Sequence, residues 1–119
     1  MASKEKHLGE FEHIVLLALV RLGEDAYGMN VRTTLKKLID RDTSIGSLYA
    51  TLERLESKGY VTSLLGEATA ERGGRAKRFF KVTADGMRVL RATKGRLEVM
   101  WEGVLLTPQT QAGSPCAAL

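Results

Sequence analysis

The chain has 119 residues, 44% of them hydrophobic, which suits one small core and leaves little for a second domain. Its 18 cations against 14 acids give a net charge of +4, so an anionic partner suits it better than a cationic one. The single cysteine, Cys116, excludes an internal disulfide and any multi-cysteine metal site. No apolar run is long enough to span a bilayer, and the charged N-terminus does not read as a secretory signal. A cytoplasmic protein is expected.

Residues 1–7 form a polar lead. Over 8–22, Leu8, Phe11, Val15, Ala18, Leu19 and Leu22 recur at helical spacing, and Ile14, Leu16, Leu17 and Val20 widen the stripe. This pattern predicts a first helix buried on most sides, with Gly23 as its C-cap. A second helix is expected over 27–41, with Met29, Val31, Leu35, Leu38 and Ile39 inward. Asp42, Thr43 and Ser44 offer cap side chains for a third helix over 44–58. Ile45, Leu48, Leu52 and Leu55 would be its buried face; Ser47, Thr51, Arg54 and Lys58 recur on the other. A β segment follows over 60–65, then a turn region over 66–74 and a return strand over 75–82, with Phe80 and Val82 inward. Thr83 is the expected N-cap of a last helix reaching 105. The tail over 106–119, like residues 1–7, is expected to be disordered.

The order predicts a mainly α fold with a small β-hairpin, arranged as a winged helix-turn-helix over 8–83 and completed by a long helix over 84–105. In that plan the third helix enters the major groove of DNA and the hairpin, or wing, lies along the backbone. The wing residues support this. The ten positions 72–81 hold five cations and no acid around two adjacent glycines, which suit a tight turn. Arg72, Arg75, Lys77 and Arg78 are read as phosphate contacts, with Arg78 or Lys81 pairing instead to a nearby glutamate as the bland alternative. On the third helix, Ser44, Gly46 and Ser47 are short enough to let the backbone approach the bases. Tyr49 can reach a phosphate or pack inward, Thr51 can meet a thymine methyl, and Arg54 lies where the helix leaves the groove.

On the last helix, Met87, Leu90, Leu97, Trp101 and Val104 form an apolar seam. A helix of this length outruns the small core before it, so a second copy is expected to cover the seam, together with Leu8 and Phe11 of the first helix. His7 and His13 have no partners at ligand spacing, and no nucleophile–base set or phosphate-binding loop is present, so no metal, no cofactor and no enzyme are expected. Two functions compete: a DNA-binding regulator, and a winged-helix module that binds another protein. Five unopposed wing cations favour the first.

The segments Ala26-Tyr-Gly-Met-Asn-Val31, Ser44-Ile-Gly-Ser-Leu-Tyr-Ala-Thr-Leu-Glu-Arg-Leu-Glu56 and Gly73-Gly-Arg-Ala-Lys-Arg-Phe-Phe-Lys-Val-Thr83, with Gly86, resemble the PadR family of bacterial transcriptional regulators. The resemblance covers about 8–104. It implies a homodimeric repressor of a palindromic DNA operator, held together mainly by the last helix. It also implies that Tyr27, Ser44, Ser47, Tyr49 and the wing cations touch DNA. By the same analogy a flat hydrophobic effector would stack on Trp101 between subunits, against the alternative that Trp101 is a packing anchor. The chain departs from the family pattern at Ala76, where proline is frequent, and at Phe79 and Phe80, where tyrosines are usual.

Overall fold

The structure, a computed structural model, describes residues 7–66 and 77–107. Among these residues four α-helices and one antiparallel strand pair follow in the order α1 (Glu10–Leu22), α2 (Gly28–Ile39), α3 (Ile45–Ser57), β1 (Val61–Leu65), β2 (Arg78–Val82) and α4 (Ala84–Trp101). This is the mainly helical winged-helix architecture expected from the sequence.

Local chemistry sets the helix ends. Glu12 reaches back to accept from the Gly9 N–H at 2.9 Å, closing the start of α1. Asp40 ends α2 in the left-handed region at φ 53°, with its N–H returned to the Leu35 and Lys36 carbonyls. Ser44 caps α3, its hydroxyl oxygen accepting from the Ser47 N–H at 3.1 Å. Thr83 caps α4 by accepting from the Gly86 N–H at 3.0 Å, while its own hydroxyl donates to the Gly59 carbonyl at 2.7 Å. The strands pair from Val61 opposite Val82 to Leu65 opposite Arg78.

Val15, Leu16 and Leu19 of α1 meet Val31 and Leu35 of α2, Leu48, Leu52 and Leu55 of α3, and Tyr60, Val61 and Phe80 of the hairpin. Leu90 is the buried α4 residue of this cluster. Gly86 lets α4 sit this close: a Cβ there would lie 2.3 Å from the Tyr60 carbonyl oxygen.

Several burial expectations are corrected. Leu17 and Val20 of α1 are exposed, so that helix is not buried on most sides. Met29, Leu38 and Ile39 of α2 are exposed, as is Ile45 at the start of α3. Each lies beyond the reach of a three-helix core that can cover only one stripe of each helix. Phe80 is buried as expected and Val82 half-buried. The last helix stops at Trp101, short of 105, where Glu102 leaves helical geometry. The tails expected at 1–7 and 106–119 fall outside the described residues, save for His7, Leu106 and Thr107.

Candidate nucleic-acid interface

The orientation of α3 follows from which residues it buries. Leu48, Thr51, Leu52 and Leu55 face the core. At 3.6 residues per turn the opposite ridge is then Gly46, Ala50, Glu53 and Ser57, all exposed. Serine, threonine, arginine and lysine at 47, 51, 54 and 58 were expected to form that ridge, and this is corrected. Thr51 is only 3% exposed and its hydroxyl accepts from Arg54, so it cannot reach a base. Leu48, Leu52 and Leu55 by themselves centre the buried face opposite Gly46, Ala50, Glu53 and Ser57, so a stricter reading of the helical period finds the true ridge.

The flanks of the ridge are held by carboxylates. On one flank, Glu12 of α1 accepts from Arg54 Nε at 3.2 Å and from Lys58 Nζ at 3.0 and 3.1 Å. Burial by itself raises the Glu12 carboxyl. The Gly9 N–H, then Lys58 and Arg54, more than offset this and hold it below the usual value. Arg54 is thus a tethered cation, though still 54% exposed. On the other flank, Arg78 of β2 donates to Glu56 at 3.0 Å and to the Ser63 hydroxyl at 3.2 Å, with Glu53 at 3.9 Å. Among the described residues its glutamate partners are on α3.

The remaining expected residues cluster beside α3. Ser44 and Ser47 are exposed at its N-terminus. The Ser44 oxygen is used as cap acceptor, which leaves its O–H able to donate to solvent or phosphate. Tyr49 is half-buried, its ring tilted against Phe80 at 6.0 Å. A Cβ on Gly28 would fall 2.4 Å from the Tyr49 hydroxyl, so glycine there lets the ring lie against the start of α2. Tyr27 joins the wing to this corner: it bridges Phe79 in antiparallel fashion, meets that ring edge-on at 5.4 Å, and carries the Lys77 ammonium over its face at 4.1 Å. Arg72 and Arg75, and the turn itself, lie outside the described residues.

The seam on α4 divides in two. Leu90 is buried and Met87 half-buried in this chain's own core, whereas Leu97, Trp101 and Val104 are exposed. Leu8 and Phe11 pack on the core edge, with the Arg41 guanidinium 4.8 Å from the Phe11 ring. Between α1 and α4 runs an open groove of about 590 Å³, lined by His13, Leu17, Val20, Leu97 and Trp101 among others.

Residues 16–92 match the family model described as the transcriptional regulator PadR-like family. The chain belongs to the PadR family. That makes it a transcriptional regulator, in a family of transcription factors and not of enzymes. Solved structures share the fold. A PadR-like transcription factor from Bacteroides fragilis aligns at 24% identity and TM-score 0.67, over 77% of this chain and 84% of that one. A PadR family regulator from Eggerthella lenta aligns at 27% identity and TM-score 0.63, over 79% and 81%. A transcriptional regulator from Clostridium thermocellum aligns at 22% identity and TM-score 0.64, over 76% and 85%. No match was found among the curated proteins. No described helix of this PadR protein is long and apolar enough to cross a membrane, and the described residues hold no metal-ligand cluster.

Proposed function

We propose that this regulator is a cytoplasmic homodimeric repressor that binds a palindromic operator in double-stranded DNA and blocks transcription by occupying it. The winged-helix part spans 8–83 and the dimerisation segment 84–105, helical as far as Trp101. Two copies of α3 enter successive major grooves about one helical turn apart, and the wings rest on flanking backbone. The observation that carries this reading is the α3 ridge, open to solvent and small except at Glu53, with the wing root seated against α3 through Arg78 and against the start of α2 through the Tyr27–Phe79–Lys77 stack. Ser44, Gly46, Ser47 and Tyr49 sit at the groove end, and Arg72, Arg75, Lys77 and Tyr27 serve the phosphates. Arg54 and Arg78 act mainly by shaping the flanks, since both already hold carboxylates.

The exposed α4 residues Leu97 and Trp101, with Val104 just past the helix end, support the dimer: left in water they would form an apolar strip that a second copy buries. The groove that Leu97 and Trp101 share with α1 is the place where a flat hydrophobic effector would stack on Trp101 and shift the spacing of the two recognition helices. A mobility shift with the DNA upstream of its own gene, run at two salt concentrations, tests the function. Binding that weakens steeply with salt supports it; absence of binding at low salt, or indifference to salt, refutes it.

A further inference from the structure

We infer that Glu53 is a specificity-determining residue that selects a cytosine in each half-site; this rests on the DNA-binding reading above. Glu53 lies on the outward ridge of α3 between Ala50 and Ser57, and its side chain is 65% exposed. Its neighbours on the ridge are small, and Gly46 at the start of the ridge has no side chain, so the helix can sit deep with the Glu53 carboxylate leading.

A carboxylate aimed at a polyanion is repelled unless a base supplies a donor. The major groove offers two amino donors, cytosine N4 and adenine N6. Adenine places its N7 acceptor beside N6, where it opposes the second carboxylate oxygen. Cytosine carries no such acceptor on that edge, so it is the preferred partner. The bland role for Glu53 is to hold Arg78. The distances argue against it: Arg78 is already fixed by Glu56 at 3.0 Å and Ser63 at 3.2 Å, while Glu53 stands off at 3.9 Å. Among the described residues Glu53 accepts no hydrogen bond, so its lone pairs are open to a base.

The test selects binding sites from a random duplex pool with the full-length protein, Glu53→Ala and Glu53→Gln, then measures each base at each position by fluorescence anisotropy. For the wild type, cytosine is preferred by about tenfold at one position per half-site. Glu53→Ala reduces that preference below about twofold, leaves the other positions unchanged, and does not weaken binding to random DNA. Glu53→Gln moves the preference to adenine, which a side-chain amide reads through N6 and N7. Circular dichroism confirms that these surface variants fold. If the wild type selects a motif and Glu53→Ala preserves every base preference, or weakens all positions equally, Glu53 is not a reader and the inference falls while the DNA-binding function stands. If the wild type enriches no sequence at all, operator binding and the inference fall together.

Discussion

Replacing Glu12 by alanine removes the anchor that ties the recognition helix to α1. The carboxylate is 8% exposed and holds three partners: the Gly9 N–H, Lys58 at 26% exposure and Arg54 at 54%. Losing the bond to Gly9 costs about 0.5–1 kcal/mol, in line with other helix-start interactions. The shielded Lys58 pair contributes about 1–2 kcal/mol. Arg54, more than half in water, adds only about 0.3 kcal/mol. The sum is about 2–3 kcal/mol, or a fall in Tm of about 10–20 °C for a domain of this size. Urea unfolding at fixed protein concentration measures it, which removes any contribution from changing oligomer population. Folding holds the Glu12 carboxyl below its ordinary value, so its contribution is complete above the unfolded value of 4.5 and is lost as pH falls through and below it. Wild type and variant therefore differ fully at neutral pH and converge only under strong acid. A loss under about 0.5 kcal/mol at neutral pH, or a gap that persists unchanged well below that value, refutes the reasoning. So does a double-mutant cycle with Lys58→Met that shows no coupling.

Gly86→Ala is expected to destabilise by about 1–3 kcal/mol, because its Cβ would meet the Tyr60 backbone oxygen, which cannot swing aside. Gly95→Ala on the same helix meets nothing within 4 Å and is expected to stabilise by about 0.5–1 kcal/mol; thermal melts of the pair give opposite signs if α4 is seated as described. Leu97→Ala with Trp101→Ala is expected to raise the dimer dissociation constant by at least about tenfold, read by sedimentation equilibrium. An unchanged constant would place the dimer contact elsewhere. Arg72→Gln with Arg75→Gln is expected to lower the log–log salt slope of operator binding by about 0.9 for each phosphate no longer neutralised. Arg78→Gln should move that slope less and lower stability more, since Arg78 is already held by Glu56.

Helix starts were legible because they depend on neighbours a few residues apart, whereas the stop of the last helix was not. Ser44 and Thr83 cap the helices they precede, and the hairpin follows from two alternating segments around a glycine pair. The family, too, was legible, from motifs spaced along most of the chain. Other features depended on contacts across the fold. Thr51 reads as a surface residue in the helical pattern, yet it packs inward and accepts from Arg54, which Glu12, 42 positions earlier in the chain, also holds. Arg78 reads as one more wing cation, yet Glu56 and Ser63 from other elements converge on it.

The sequence by itself determined the elements, their order and the membership of the family, because periodicity, caps and turn residues act over a turn or two of chain. Only the tertiary structure decided which cations are already engaged and that Thr51 packs inward. Ion pairing is set by carboxylates distant in the chain, and the burial of a polar residue at the edge of a helix face by the elements packed against it. Both are long-range balances of burial and charge that no local pattern encodes.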